Sequence, residues 1–465
     1  MTDPGPFIAE LRRLLGPDAV SVEASDLRTY GQDWTRIAVP APCAVAFPRS
    51  TAEVAAIVLA CRRHGIAIVP SGGRTGLAAG AVAARGELAL SLQRMRRMAA
   101  IDLVGQTLRV QAGVVTQDVH DLCRPHGLTW PIDLAAKGSS TIGGNVATNA
   151  GGVRVVRYGH ARQWVLGLQV VTADGEILDI GGALEKDNSG LDLRQLFIGS
   201  EGTLGIITEV TLKLTRLPGA TEVMLLAVAD LAAALAVFQR VRALPVAMQA
   251  FEYFTTFCMG EVCRHLGVSR PLQAAAGGYV LVELETSATL NLGDWLEGLL
   301  TEGVILDGTR ALSSRQAATL WSFREGITES LNVLHGPPHK NDVALPVAGL
   351  AAFVQAWLES RTQDATPSLV ALFGHVGDGN LHINTLAPKG MDRAEFLKEA
   401  AVADRSLFAL VQRHGGSISA EHGIGLVKKP YLEFGRSQAE IAVQRAVKRA
   451  LDPDNRMNPG KIFDV

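Results

Sequence analysis

Three histidines and a glutamate fall into two short, glycine-flanked stretches of this 465-residue chain. The first runs Gly374-His375-Val376-Gly377-Asp378-Gly379-Asn380-Leu381-His382-Ile383-Asn384, and the second Ser419-Ala420-Glu421-His422-Gly423-Ile424-Gly425. A tight glycine turn lets two imidazoles converge on one ion. His382 and Asn384 stand two apart on a β-rich run and so share a face. Glu421 and His422 are neighbours that point opposite ways in an extended backbone. One can bind a metal while the other faces something else. Imidazoles with a carboxylate suit zinc, manganese or iron, with positions left open for substrate. Asp378 stands in a D-G-N turn and reads as a turn former rather than a ligand.

The first half carries a different chemistry. Pro70-Ser71-Gly72-Gly73-Arg74-Thr75-Gly76 follows a β-rich run, and Pro131–Gly152 is dense in glycine, serine, threonine and asparagine. Glycine admits positive φ and close approach of backbone N–H groups to a ligand. Successive N–H groups of this kind form an anion nest suited to a pyrophosphate. Neither stretch is a G-x-G-x-x-G or Walker A motif, which disfavours an ordinary nicotinamide dehydrogenase. Arg324 and Thr328 lie in WSFREGITES at i, i+4 spacing, and Lys340 precedes Asn341-Asp342. Arginine is the residue type that grips a carboxylate through two parallel hydrogen bonds.

Elements must hold these residues in place. Ser50 and Glu53 form a capping-box signature for a helix to His64, ended by Gly65, with a strand over Ile66–Val69 behind it. Leu108–Val110 reads as a strand and Thr116–His126 as a helix. Val165–Thr172 and Glu176–Ile180 flank Asp174-Gly175 as a hairpin. A domain boundary falls near Thr215–Gly219. Beyond it the pattern predicts a strand at Val223–Ala229, a helix at Leu231–Arg242 with Asp230 as N-cap, and a strand at Tyr279–Leu284. A single long helix over Ser314–Leu334 follows, then strands at Leu369–Phe373 and Leu381–Asn384 and a helix from Arg393 to His414. His64, His120, His126 and His414 sit on or at the ends of predicted helices. His335 and His339 read as loop residues beside Pro337-Pro338, and His160 has no evident partner.

Composition bounds the function. Hydrophobic residues make up 48% and charged residues 19%, an ordinary globular balance. The formal charge is −2, aromatic residues are 5%, and no long basic run occurs, so a nucleic-acid footprint is not expected. Arg94, Arg96 and Arg97 read as a solvated face. The five cysteines are scattered and form no C-x-x-C, which fits free thiols in a reducing compartment. The N-terminus, with Asp3 and Glu10, lacks the apolar core of a secretory signal, and no stretch reads as a membrane span.

The segments PSGGRTGL, PIDLAAKGSSTIGGNVATNAGG, RYG at Arg157–Gly159 and LFIGSEGTLGIITEV closely resemble the FAD domain of the vanillyl-alcohol oxidase and p-cresol methylhydroxylase superfamily. The resemblance implies an α+β fold with a two-subdomain FAD-binding domain over 1–217, its core about 40–215. An α+β substrate domain with an antiparallel sheet and a C-terminal helical segment follows over 218–465, its tail 452–465 returning to the flavin. Implied FAD contacts are Pro70, Ser71, Gly72, Gly73, Arg74, Thr75, Gly76, Leu77, Pro131, Asp133, Gly138, Ser139, Thr141 and Ile142. Gly144, Asn145, Thr148, Ala150, Gly151, Glu201, Gly205, Ile206 and Asn458 complete that set. Arg74 follows the paired glycines where some members carry a flavin-linked histidine, so the FAD is expected to be non-covalent.

WSFREGIT, HKNDVALP, GHVGDGNLHIN, SAEHGIG and MNPGKIF are similar to the FAD-linked D-2-hydroxy-acid dehydrogenases, nearest to the branch that acts on D-2-hydroxyglutarate. That likeness implies His375, His382 and Glu421 as ligands of one divalent metal, zinc first and manganese or iron next. It implies Arg324, Thr328, Lys340, Asn384 and His422 as substrate contacts, with His422 the base while hydride passes to flavin N5. D-malate and D-lactate are further candidate substrates, and a D-lactate or glycolate dehydrogenase is the alternative. A zinc hydrolase or a non-catalytic flavin-binding protein is a distant one. The expected acceptor is an electron-transfer flavoprotein or a quinone. The expected location is the bacterial cytoplasm, with membrane contact only through the acceptor, and a homodimer is one option for assembly. Residues 220–271 carry no motif.

Overall fold

The computed structural model describes residues 4–286, 290–361 and 368–465; Asp3 lies outside them. The chain forms two compact units. One comprises Met1–Gly152, Tyr158–Leu217 and Glu421–Val465, the other Val153–Arg157 and Pro218–Ala420. A strictly linear division at 217 would assign residues 421–465 to the second unit. They join the first because Ile68 pairs in parallel with Met457, whose side chain is fully buried in the core around Ile57 and Leu90.

The first unit holds two four-stranded sheets. One has the order Val20–Ser21, Ala44–Ala46, Leu88–Ser91, Ile68–Ser71 and is mainly parallel. The other, Thr107–Gln111, Ile206–Lys213, Val165–Val171, Ile177–Gly181, is antiparallel. The predicted helix forms over Thr51–His64, with the Ser50 hydroxyl accepting the Glu53 N–H at 3.2 Å and Gly65 closing it at φ +66°. The Glu53 carboxylate accepts the Arg49 N–H rather than that of Ser50, one position earlier than a capping box requires. Thr116–Cys123 is α-helical and Arg124–His126 a 3-10 turn, because Pro125 cannot donate to the ladder.

The second unit is built on one seven-stranded antiparallel sheet. Its order is Asp307–Arg310, Thr221–Val228, Gly278–Glu285, Met248–Thr255, Val370–Gly374, Asn380–Thr385, His339–Ala344. One face, with Phe254, Leu281 and Phe373, packs under the helices Thr256–Leu266, Ser314–Glu325 and Ile327–His335. Leu231–Arg242, capped by Asp230 accepting the Ala233 N–H, Leu350–Arg361 and Arg393–Arg413 cover the other. The long helix expected over Ser314–Leu334 is two helices, broken at Gly326, where glycine is a weak helix former. His335 and His339 are not loop residues. His335 ends a helix and meets Glu261 at 2.7 Å; His339 opens a strand and meets Asp404 at 2.9 Å. Among the described residues no helix is long and apolar enough to cross a membrane.

Candidate active site

In the first unit a cavity opens where the Ile68–Ser71 strand ends. Pro70, Ser71, Gly72, Gly73, Arg74, Thr75 and Gly76 line it, with Thr141, Gly144, Asn145, Thr148, Glu201, Gly205 and Ile206. Leu77, Pro131, Asp133, Gly138, Ser139, Ile142, Ala150, Gly151 and Asn458 do not. Ile142 points into the core and is fully buried, while Asp133 pairs with Lys137 at 2.7 Å. Asn458 shapes the wall instead: its amide donates to the carbonyls of Gly80 and Glu201 at 2.9 and 2.7 Å. Gly73 is required by close approach, since a Cβ there would lie 2.3 Å from the Ser139 carbonyl oxygen. Arg74, Glu201 and Asn458 all hold positive φ, a backbone cost that clusters at ligand sites.

Polar atoms in this lining lack partners in the protein. Ser71 Oγ, Thr141 Oγ1 and Asp33 Oδ2 are buried without a hydrogen bond, a state that usually marks a missing ligand. A glycine-rich cradle with buried hydroxyls fits the pyrophosphate and ribitol of a dinucleotide. Asp33, only 4% exposed, was not legible as a site residue because no motif surrounds it. Burial raises its carboxyl above the usual range.

His422 lines this same cavity. Its loop is held by Glu201, whose carboxylate accepts the N–H groups of Ile424 at 2.7 Å and Gly425 at 2.9 Å. Desolvation pushes the Glu201 carboxyl up to about 7, against the pull of those amides and of Lys428. Gly425 has φ +48°, and a Cβ there would lie 1.9 Å from the Ala78 carbonyl oxygen. Glu421 turns elsewhere, and its carboxylate accepts the Gly152 N–H at 3.2 Å.

In the second unit, Gly374–Asn380 is the turn joining Val370–Gly374 to Asn380–Thr385. Gly379, at φ +91°, lies so close to Leu345 that a Cβ would sit 2.2 Å from its carbonyl oxygen. This turn brings His375 and His382 together, with ring centroids 5.3 Å apart. Asp378 accepts the Asn380 N–H at 3.2 Å, as a turn former does. Strand register places Lys340 opposite Asn384 and Asp342 opposite His382, all on one face. Arg324 joins them, 8% exposed, its guanidinium 4.9 Å from the Phe373 ring, which meets the His382 ring tilted at 45° with centroids 5.0 Å apart. Burial lowers the Lys340 ammonium below its usual range. Thr328 is half-buried on the next helix, so it does not share one unbroken helix with Arg324.

Sequence reading missed Glu252, on the strand Met248–Thr255 within the motif-free stretch. Its Oε1 meets His375 Nδ1 at 2.7 Å, and its Oε2 accepts Arg324 Nε–H at 2.8 Å. Burial raises its carboxyl, but His375 and Arg324 outweigh burial and hold it below the usual range. The signal was a lone acid inside an aromatic strand, since buried charges are paired.

Fold and cavity define an FAD-linked oxidase of the two-domain type. Residues 217–462 match the model "FAD linked oxidases, C-terminal domain", and residues 42–181 match "FAD binding domain". The solved structure of p-cresol methylhydroxylase with substrate bound superposes at TM-score 0.75 with 18% identity, over 99% of this chain and 97% of that one. A protein of Xanthomonas citri pv. viticola named D-2-hydroxyglutarate dehydrogenase is 46% identical, over 100% of this chain and 98% of its own length. One of the same name from Stutzerimonas stutzeri is 41% identical over the full length of both. The chain belongs to the D-2-hydroxyglutarate dehydrogenase family of FAD-dependent hydroxy-acid dehydrogenases.

Proposed function

We propose that this chain oxidises D-2-hydroxyglutarate to the 2-oxo acid with FAD and one divalent metal, passing electrons to an electron-transfer flavoprotein or a quinone. The observation that carries the reading is the shared face of Lys340, Asn384 and His382 beside buried Arg324. A dicarboxylate substrate needs two cationic grips, and half-buried Lys340 and buried Arg324, whose charge Glu252 also balances, would supply them. The relatives named above point to the same substrate.

The Ser71–Gly76 loop, Thr141 and Asn145 would hold FAD, which when bound would supply a two-electron acceptor beside the substrate carbon. His375, His382 and Glu421 are the proposed metal ligands. Two imidazoles bound through nitrogens about 2 Å from a tetrahedral ion would have ring centroids about 5 Å apart, and these stand 5.3 Å apart. A metal there would polarise the substrate hydroxyl and lower its pKa. His422, which lines the flavin cavity, takes the hydroxyl proton as a neutral imidazole. Arg324, Thr328, Lys340 and Asn384 hold the carboxylates and fix which face of the carbon is presented.

Anaerobic mixing with D-2-hydroxyglutarate, L-2-hydroxyglutarate, D-malate, D-lactate and glycolate tests this. The expected result is rapid flavin bleaching by D-2-hydroxyglutarate, slower bleaching by D-malate and none by the L-enantiomer. Bleaching by D-lactate or glycolate in preference would overturn the substrate.

A further inference from the structure

Glu252 is 1% exposed on a strand where its neighbours are Phe251 and Tyr253. A charge this deep must be paired and hydrogen-bonded. Both oxygens are used, Oε1 toward His375 Nδ1 and Oε2 toward Arg324 Nε. One carboxylate therefore touches a proposed metal ligand and a proposed substrate-binding cation. The adjacent strand offers a contrast. Glu283 accepts Trp321 Nε1–H at 3.0 Å and pairs with Arg154 at 3.0 Å. Trp321 and Arg324 are i, i+3 on the helix Ser314–Glu325, so both acids dock that helix. Only Glu252, of the two, continues to a histidine.

We infer that Glu252 is a positioning residue that sets the tautomer of His375 and the aim of Arg324 together, coupling metal affinity to the grip on the substrate carboxylate. The inference rests on the metal site proposed above. An imidazole that faces a carboxylate through Nδ1 carries its proton there, leaving the Nε2 lone pair for a metal. A glutamine at 252 offers one acceptor oxygen and one N–H₂ group. Arg324 cannot give up a proton and takes the oxygen. The amide N–H then faces Nδ1, the imidazole proton moves to Nε2, and the lone pair a metal needs is lost.

The test uses the full-length, FAD-loaded enzyme as wild type, Glu252→Gln and Arg324→Lys. Each is stripped with a chelator and titrated with Zn²⁺ and with Mn²⁺ against a competing indicator. KM for D-2-hydroxyglutarate is then measured after reloading. Glu252→Gln is expected to lose about 10- to 100-fold in metal affinity and to show a raised KM. Arg324→Lys keeps the carboxylate on His375, so it should raise KM while binding metal as wild type does. Wild-type metal affinity in a folded Glu252→Gln overturns the inference, as does an equal loss of metal in Arg324→Lys. If Glu252→Gln does not fold, Glu252→Asp draws the oxygens back by one methylene and should lose metal affinity by a smaller factor; no loss there overturns the inference equally. Failure of the wild type to bind either ion is a different result and removes the metal site itself.

Discussion

Adjacent side chains of opposite use are the residue-scale feature of this site. His422 lines the glycine-rich cavity and Glu421 meets the Gly152 amide. His422→Ala should lower kcat by about 10²- to 10⁴-fold while the purified protein stays yellow; near-normal turnover would remove it as the base. Lys340→Ala should raise KM more for D-2-hydroxyglutarate than for D-lactate, which lacks the distal carboxylate, and steady-state kinetics on both substrates decides it. Glu201 gives a pH prediction. Its folded pKa, about 7, lies above the ordinary 4.5, so the folded state holds a proton that the unfolded state has released. Its contribution to stability therefore falls as pH rises from about 4.5 to about 7 and is flat beyond. Glu201→Gln keeps a neutral side chain throughout. In FAD-free protein the wild type's advantage in Tm over the variant should shrink between pH 5 and pH 8; a constant gap would contradict the raised pKa.

At the scale of elements, a loop and a turn hold the proposed site residues, and glycines let both approach other backbone. Gly73→Ala puts a methyl against the Ser139 carbonyl and must move the Ser71–Gly76 loop. Expected is loss of most bound FAD, read as a fallen ratio of 450 to 280 nm absorbance, with the second unit's sheet intact by circular dichroism. Much of this scale was legible. The Thr51–His64 helix, the Val165–Val171 and Ile177–Gly181 hairpin, and the Asp230-capped helix follow from caps, turn residues and periodicity. Where local signals conflict, reading failed. The period through Ser314–Leu334 runs past Gly326, where the helix breaks. Pro337-Pro338 obscured the strand His339–Ala344, which exists because the sheet's edge pairs with Asn380–Thr385. Its register puts Lys340 and Asp342 on the site's face and His339 and Asn341 on the other, where Asp404 binds both.

At the scale of the molecule, cofactors and fold are linked. FAD binds the folded first unit, so adding it at 100 times its Kd to stripped protein should raise unfolding free energy by about 2.7 kcal/mol. Calorimetry reads this as a rise in Tm, and an unmoved transition would contradict the cradle. Chelation should silence turnover reversibly and leave the flavin in place, with activity restored by Zn²⁺ or Mn²⁺; full activity in protein shown metal-free by elemental analysis would exclude metal-assisted chemistry. The sequence by itself determined the ingredients: the glycine-rich cradle, the H-x₆-H turn, the E-H pair and the cations at 324 and 340. Each is a local arrangement whose chemistry is set by residue type and spacing. Tertiary structure alone decided that residues 421–451 join the expected tail in the FAD unit, that Glu201 anchors the loop of His422, and that Glu252 joins His375 to Arg324. These depend on pairings between segments far apart in the chain, made by sheet register and by the need of buried carboxylates for partners, and no local pattern records them.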